Sequence, residues 1–213
     1  MKDRTLQTTT ARRGRERGYA LIALLAMMTL MMFAAMALAP SVRHQSQREL
    51  ELEAIARGEE VAQAIRAYTH IANKLPTSMD ELQEGAPFGT KKVQVLRASA
   101  ARDPLSTSGE WRLIKVQDRE FTEFLRALVL YTNGKQPRDM TTDAKMKTFV
   151  PNIPVVMNIL DLGDDEDESG GEVNTNTSNG PFVGVASRSA RKSVISYFGI
   201  ERRDKWIFTP LFK

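Results

Sequence analysis

The residue types that favour metal chemistry are concentrated in one short segment of this 213-residue sequence. Residues 161–168 include six carboxylates, and Ser, Gly, Asn and Thr follow them. Hard cations such as calcium bind several carboxylate oxygens, so the segment has the composition of a calcium loop. Its spacing differs from the D-x-D-x-D-G order of an EF-hand, and like charges this close repel one another. We predict a solvated, flexible acidic loop at 161–180, with calcium as the alternative and no ligand residues assigned.

Motifs of the common catalytic sites do not occur in the sequence. It has no Cys, which excludes disulfides, thiolate zinc sites, iron–sulfur clusters and cysteine nucleophiles. It has no G-x-S-x-G elbow, H-E-x-x-H pair, P-loop or G-x-G-x-x-G, although a dispersed carboxylate pair would leave no such motif. His44 and His70 fall on a predicted long helix, His70 near its end, where a cation suits the helix dipole. We therefore expect a protein that is not an enzyme, with no catalytic, cofactor-binding or metal-binding residues.

The excess positive charge is confined to the start of the chain. The sequence has 30 Lys and Arg against 26 Asp and Glu. Residues 1–18 hold six basic and two acidic side chains, so the remaining residues carry 24 of each sign. Proteins that bind nucleic acid usually spread basic charge over a folded face. We therefore expect no nucleic-acid partner.

An uncharged apolar run of 21 residues, from Tyr19 to Ala39, follows the basic segment. As a helix it would span about 31 Å, which matches a bilayer hydrocarbon core of about 30 Å. Thr29 is the only polar residue within the run after Tyr19. Arginines precede the run and no comparable cluster follows it, which predicts a cytoplasmic N-terminus. The residues from about 41 onward would then lie in the periplasm or outside the cell.

Three other interpretations of this segment stay open. A cleaved secretory signal would use Ala37-Leu38-Ala39, but the run is longer than the usual apolar region of about 7–15 residues, and Pro40 would become the first mature residue. A twin-arginine signal would use Arg12-Arg13, but the residues that follow lack the apolar character of such signals. A plain anchor would hold a periplasmic enzyme or binding domain by a single N-terminal membrane helix.

The junction between the charged segment and the apolar run resembles a class III prepilin leader. Charge stops at Arg17, Gly18 follows, and the aromatic Tyr19 starts the apolar helix. Type IV pilins and type II secretion pseudopilins begin in this way. The resemblance implies that a prepilin peptidase cuts after Gly18 and methylates Tyr19 as the mature N-terminus. A small glycine suits a peptidase that must fit an extended bond at the membrane surface.

Of two positions after the implied cut, one agrees with this family and the other departs from it. Pro40 is the twenty-second residue after the cut, where many pilins have a proline that bends the helix by removing one hydrogen bond. Ala23 is the fifth, where the family usually has a Glu that pairs with the N-terminal amine of a neighbouring subunit. A buried charge in lipid must be paired, so this Glu fixes register, and Ala23 leaves less register specificity. Tip-type minor pseudopilins also lack this Glu, so the sequence leaves open whether the subunit is major or minor.

Beyond the apolar run the sequence predicts that the same helix continues to about Asn73, before Pro76. Apolar residues recur at steps of three, four and seven, at Ala54, Ile55, Val61, Ala62, Ile65, Tyr68 and Ala72. We assign the charged residues to the solvent side, namely Arg48, Glu49, Glu51, Glu53, Arg57, Glu59, Glu60 and Arg66. Gly58 costs about 1 kcal/mol relative to alanine, which suggests the hypothesis that a neighbour approaches closely there.

The remaining sequence predicts a small globular part built from short strands and one helix. Alternating or apolar runs predict strands at 111–117, 155–157, 182–186, 193–198 and 206–209. Helical spacing predicts a helix at 119–131, and Asn133-Gly134 predicts a turn. Trp111 and Trp206 are expected in the core. Short strands with short connections indicate an antiparallel sheet.

Further short motifs resemble the same family. Lys74-Leu75-Pro76-Thr77 is similar to the turn after the first helix of major pseudopilins, and Asp103-Pro104 is similar to a later stretch of theirs. The C-terminal pattern PFVGVAS…YFG…KWIFTP resembles the end of pilin-like proteins of bacterial secretion systems. The resemblance implies an α+β, pilin-like fold, in which a long N-terminal helix packs on a small antiparallel sheet. The expected organisation is a leader at 1–18, a transmembrane helix at 19–39, its periplasmic continuation at 40–74 and a globular domain at 75–213.

The family resemblance also implies a function. It predicts a structural subunit of a bacterial type II secretion or type IV pilus filament, held in the inner membrane by one helix. The implied partners are other pilin-like subunits, the prepilin peptidase and the inner-membrane secretion platform. No cofactor is implied other than calcium, which major pseudopilins bind in a loop of their β-region.

Overall fold

The computed structural model describes residues 13–141, 143–150 and 180–212. The chain divides into two compact units, the first ending at Ser46 and the second beginning at Gln47. One helix, α1 (Arg13–Ala72), contributes residues to both units. The predicted strand at 155–157 and the acidic residues 161–168 lie outside the described residues.

The first unit is helical from Arg13, which is earlier than the start of the apolar run at Tyr19. Ala, Leu and Met have high helix propensity, and they dominate the sequence that follows. The helix continues through Pro40, as the sequence predicts. All side chains from 18 to 36 are exposed to the surroundings.

In the second unit, α1 supplies one side of a hydrophobic core. The predicted apolar stripe is buried or half-buried at every position, namely Ala54, Ile55, Val61, Ala62, Ile65, Tyr68 and Ala72. The helix ends at Ala72, and Asn73 adopts a φ of 53°, a left-handed conformation common at helix C-termini. The predicted extent of the second half of the helix is therefore confirmed.

A short helix and a hairpin follow the end of α1. The helix α2 (Met79–Glu84) is capped by the side chain of Ser78, and Leu82 in it is fully buried. Strand β1 (Ala86–Phe88) pairs antiparallel with β2 (Lys91–Val93). None of these three short elements was predicted from the sequence.

The largest sheet has three antiparallel strands in the order β3 (Arg112–Ile114), β4 (Gly184–Ala186) and β7 (Ile207–Phe208). Trp111 and Trp206, each next to a strand of this sheet, are buried. Their indole N–H groups donate to backbone carbonyls at 2.9 Å, which satisfies the polar end of each ring. The prediction that both tryptophans lie in the core is confirmed.

The predicted helix at 119–131 is confirmed as α3 (Arg119–Tyr131). One face of it is buried in a second hydrophobic cluster, through Phe121, Phe124, Leu125, Leu128 and Val129. Asn133 and Gly134 form the predicted turn, both with positive φ. Two short helices follow, α4 (Pro137–Met140) and α5 (Ala144–Phe149).

A two-stranded hairpin, β5 (Lys192–Tyr197) with β6 (Ile200–Arg202), precedes a 3₁₀ turn at Arg203–Lys205. The three C-terminal strands are therefore present, although two are shorter than the apolar runs that predicted them. Helices and small antiparallel sheets together make the fold α+β, as expected.

Candidate functional site

The predicted processing site lies within α1. Gly18 is helical, and a Cβ atom placed on it would meet no other part of the described chain within 4 Å. The side chain of Tyr19 is 76% exposed. Both sides of the implied cut are therefore accessible. The bond after Gly18 lies in a helix, where the sequence interpretation expects an extended bond, so a peptidase would have to open this part of α1 before cutting.

The segment after the implied cut has the properties required of a membrane helix. Gly18–Met36 has a mean hydropathy of 2.2, and none of it is buried. Thr29 donates its hydroxyl to the carbonyl of Ala26 at 2.8 Å, so this polar side chain is satisfied within the helix. Ala23 is exposed and brings no carboxylate to the surface of the helix. The chain thus has one N-terminal helix that is long and apolar enough to cross a membrane.

Glu51 is the clearest departure from the sequence prediction, which placed it on the solvent side. It is fully buried. Its Oε1 accepts hydrogen bonds from Nη2 and Nε of Arg203 at 2.6 and 3.0 Å. Its Oε2 accepts from the backbone N–H groups of Val194 and Ile195 at 2.9 Å. We call this arrangement the Glu51 clamp, and the solvent-side assignment of Glu51 was wrong.

The contacts of the Glu51 clamp explain why a carboxylate is tolerated inside the protein. A buried charge is stable only when it is paired and its remaining lone pairs are satisfied. Here both oxygens have charged or backbone donors, so the clamp joins α1 to β5 and to the 3₁₀ turn. Because both oxygens are already engaged and hidden from solvent, the geometry fits a structural joint better than a general base.

The spacing of α1 contained a signal for this burial. Glu51 lies three residues before Ala54 and seven before Gly58, so it continues the buried stripe at helical steps. The charge of Glu51 predicts the solvent side, whereas its position in that stripe predicts burial. A charged residue at a buried stripe position needs a partner of opposite charge, and Arg203 is that partner here.

Gly58 is also on the stripe, and the structure identifies its neighbour. A Cβ atom on Gly58 would lie 2.2 Å from Cδ2 of Phe208, far inside contact distance. The hypothesis of close approach is therefore explained within the second unit, by a residue of the same chain. The glycine lets α1 pack directly against β7.

A second polar cluster connects the last turn of α1 to α5. Asp143 caps α5 by accepting from the N–H groups of Lys145 and Met146 at 3.0 and 3.3 Å. Nε2 of His70 lies 2.7 Å from Oδ2 of Asp143, and Nε of Arg66 lies 3.6 Å from the same oxygen. His70 is thus the partner of a capping carboxylate, in addition to its place near the helix end. His44 is exposed.

Substitution of Asp143 should remove a contribution to stability that depends on pH. The hydrogen bond from His70 holds the pKa of Asp143 below its ordinary value, and the N–H groups of α5 act in the same direction. A lowered carboxyl pKa stabilises the fold above the unfolded pKa of about 3.9, and this stabilisation is lost as the pH falls through the folded pKa. Asp143→Asn should lower the free energy of unfolding by about 0.5–1 kcal/mol at pH 7 and by almost nothing at pH 2.

The measurement is urea unfolding of wild type and Asp143→Asn across pH, with the exposed Asp139→Asn as the matched control. Asparagine can still cap a helix, so the variant removes the charge and keeps the cap. A difference from wild type that is the same at every pH would contradict the assignment to Asp143 ionisation.

Asp103, from the Asp103-Pro104 motif, is another buried carboxyl. Oδ2 accepts from the hydroxyl of Ser187 at 2.6 Å, and Oδ1 accepts from the N–H of Leu105 at 2.9 Å. Burial raises the pKa of Asp103, and these hydrogen bonds only partly oppose that effect. The motif therefore anchors a loop to the residue that follows β4.

Metal binding finds no support among the residues that the structure describes. No group of three or more His, Asp or Glu side chains is placed there to share a metal ion. The acidic residues 161–168 are outside that part of the chain, so calcium binding by them stays a prediction.

Comparisons with protein-family models, with curated proteins and with solved structures found no match to this chain. Its function is therefore inferred from its own residues and their geometry.

Proposed function

We propose that this chain is a pilin-like subunit of a bacterial type II secretion or type IV pilus filament, processed after Gly18 and assembled through its apolar helix. The observation that carries the proposal is that the two halves of α1 have different surroundings. Its Gly18–Met36 segment is apolar and exposed, whereas its second half packs one face, the stripe from Ala54 to Ala72, against the core of an α+β unit. A subunit that is held in lipid first and bundled with other helices later needs this division of roles.

The proposed mechanism is assembly rather than catalysis. The exposed apolar segment includes large side chains, among them Phe33 and Met31 at 71% and 77% exposure. Burying one such side chain contributes about 1.5–3 kcal/mol, so a helix extracted from lipid associates with other apolar helices. The proposed partners are other pilin-like subunits, the prepilin peptidase and the inner-membrane secretion platform. The proposed location is the inner membrane, with the N-terminus in the cytoplasm and the second unit in the periplasm or a filament.

Because residue 23 is alanine, this assembly would lack the carboxylate that fixes the register between membrane helices. A carboxylate at that position would pair with a neighbouring N-terminal amine and fix the register between helices. With alanine, the membrane segment contributes apolar contact alone. In the proposed assembly, more of the register would then be set by contacts between the second units.

The proposal is tested by the mature N-terminus in a bacterium that expresses a prepilin peptidase. Mass spectrometry should find methylated Tyr19 in the wild-type protein. Gly18→Leu should reduce processing from nearly complete to undetectable, because the peptidase has to accommodate a small residue before the cut. A Cβ atom at Gly18 meets nothing else in the described chain, so loss of processing would not be due to misfolding.

Two matched variants sharpen this experiment. Gly18→Ala should retain most processing, and Gly14→Leu should be processed normally, since Gly14 lies away from the cut in the same basic segment. A mature protein beginning at Pro40 would indicate a secretory signal, and intact Met1 in the presence of active peptidase would indicate a plain anchor. Either result would reject the proposal.

A further inference from the structure

Helix α1 begins before the apolar membrane segment and includes part of the basic leader. The chain is helical from Arg13, five residues ahead of Gly18, where the candidate membrane span starts. At a rise of about 1.5 Å per residue, positions 13–17 extend about 7.5 Å along the helix axis beyond that span. The headgroup region of a bilayer is about 5–8 Å deep on each side of the hydrocarbon core. An α1 that crosses a membrane therefore places Arg13, Arg15 and Arg17 at headgroup depth.

Tyr19 supports this placement of the membrane boundary. Its side chain is 76% exposed at the start of the apolar segment. Tyrosine is enriched at the boundary between hydrocarbon and headgroups, because one end of its ring is apolar and the other is polar. Arginine suits the position just outside this boundary, since its aliphatic stem lies along apolar surface while its guanidinium stays in a polar layer.

The charge of the leader is complementary to an anionic surface. Residues 1–18 carry six basic and two acidic side chains, so a net of four positive charges remains even if each carboxylate is paired within the segment. The rest of the chain has equal numbers of each sign, so the net excess is confined to the segment next to the membrane helix. The negative surface potential of a membrane that contains anionic lipids attracts juxtamembrane clusters of Lys and Arg.

The helical spacing of these arginines favours lipid over a partner with a single binding face. With 3.6 residues per turn, positions 13 and 17 lie on one side of α1 and position 15 lies on the opposite side. A protein groove or a nucleic acid would contact one side of the helix at a time. Lipid headgroups surround a membrane helix, so all three positions have headgroups beside them.

We propose that Arg13, Arg15 and Arg17 bind the headgroups of anionic phospholipids and gather these lipids around this end of α1. Guanidinium groups match phosphate oxygens by donating two parallel N–H hydrogen bonds. The proposal depends on α1 lying in a membrane and is independent of processing after Gly18. It goes beyond the proposed function, because it names a lipid partner for a segment that the mature subunit would no longer contain.

Spin-labelled lipids measure the preference directly. The full chain is reconstituted in phosphatidylcholine vesicles with a trace of spin-labelled phosphatidylglycerol or phosphatidylcholine, and electron paramagnetic resonance gives the fraction of each label at the protein surface. Phosphatidylglycerol should associate at least about threefold more strongly than phosphatidylcholine at a salt concentration of about 0.1 M. The ratio should fall to within about 1.5-fold at about 1 M salt, where the Debye length is about 3 Å. Both leaflets have the same composition, so the orientation of the chain does not affect the result.

Neutral variants locate the binding positions. Arg13→Gln, Arg15→Gln and Arg17→Gln together should reduce the ratio to within about 1.5-fold. Glutamine has nearly the helix propensity of arginine, so the helix is retained. Arg15→Gln and Arg17→Gln alone should each produce part of the loss, since the two positions lie on different sides of α1.

The matched control removes three positive charges from exposed positions of the second unit, and it should leave the ratio within about 1.2-fold of wild type. Its substitutions are Lys91→Gln, Lys135→Gln and Lys147→Gln. Flotation of the vesicles on a density gradient checks that each variant is inserted to the same extent.

Cleavage by prepilin peptidase separates this proposal from the proposed function. A chain cut after Gly18 should lose the lipid preference, because the three arginines leave with the leader. A chain that the peptidase does not cut should keep the preference. Failure of the proposed processing would therefore leave the lipid result intact.

Four results would overturn the proposal. The first is equal association of the two lipids with the wild-type chain. The second is a preference that the triple arginine variant keeps, or that the lysine control loses to the same extent. The third is loss of the preference when chloride is replaced by inorganic phosphate at the same ionic strength, which would indicate a site for a free anion. The fourth is complete loss in Arg17→Gln with none in Arg15→Gln, which would indicate a one-sided site for a protein or a nucleic acid.

Discussion

Replacing Glu51 with alanine should lower the free energy of unfolding of the second unit by about 3–5 kcal/mol. The change removes the acceptor for the guanidinium of Arg203 and for the N–H groups of Val194 and Ile195. Arg203 is almost completely buried, so its charge would be left inside the protein without a partner. Two backbone donors would also lose their acceptor, and each unsatisfied donor adds to the cost.

Tryptophan emission provides the measurement. The chain has two tryptophans, Trp111 and Trp206, and both are buried in the second unit. Urea titration of the full chain in detergent therefore follows the unfolding of that unit. The matched control is Glu53→Ala on the same helix, where Glu53 pairs with Arg57 at the surface. Loss of such a pair costs about 0.3–0.5 kcal/mol.

A double variant separates the loss of the carboxylate from the buried charge that it leaves behind. Glu51→Met combined with Arg203→Met removes both charges and fills the space with apolar atoms. It should be less destabilising than Glu51→Ala, because replacing a buried pair by apolar groups avoids an unpaired charge. If Glu51→Ala costs no more than Glu53→Ala, the Glu51 clamp does not hold α1 to the hairpin.

The long elements of this fold could be predicted because their signals are local. The stripe from Ala54 to Ala72 and the helix at Arg119–Tyr131 repeat apolar residues over several turns, and that periodicity defines a helix. By contrast, α2, α4 and α5 have six residues or fewer. Helices so short are not stable alone, so contacts distant in sequence determine whether they form.

The candidate sites also differ in whether their signal in the sequence is local. Gly18 and Tyr19 are predicted as a processing site from the sequence because the change from charged to apolar residues is contiguous there. The Glu51 clamp joins residues more than 140 positions apart, and no local pattern connects Glu51 with Arg203.

Gly58→Ala should destabilise the second unit even though alanine favours helices. In an exposed helix the change would stabilise by about 1 kcal/mol. Here the added methyl would lie 2.2 Å from Cδ2 of Phe208, so the ring or the helix must shift. Phe208 is buried and packs on Trp111 and Tyr197, with centroids 5.8 and 5.1 Å apart, so the ring has little room to move.

We expect a net loss of about 1–2 kcal/mol for Gly58→Ala, because overpacking a dense core costs about 1–3 kcal/mol and the helix propensity offsets part of it. Urea unfolding followed by tryptophan emission measures this loss. Because Trp111 contacts Phe208, the emission intensity itself can change in the variant, so the unfolding midpoints are compared. Gln63→Ala, at an exposed position of the same helix, is the matched control and should stay within about 0.5 kcal/mol of wild type.

The origin of the loss is tested on a second background, Phe208→Leu, which removes the ring that the methyl would strike. Phe208→Leu is itself destabilising, since it leaves part of the core unfilled. On that background Gly58→Ala should cost less than it does in the wild type, and the two substitutions should show a coupling of about 1 kcal/mol or more. Additive effects would mean that the glycine is needed for a reason other than its contact with Phe208, because two residues that compete for the same space cannot act independently.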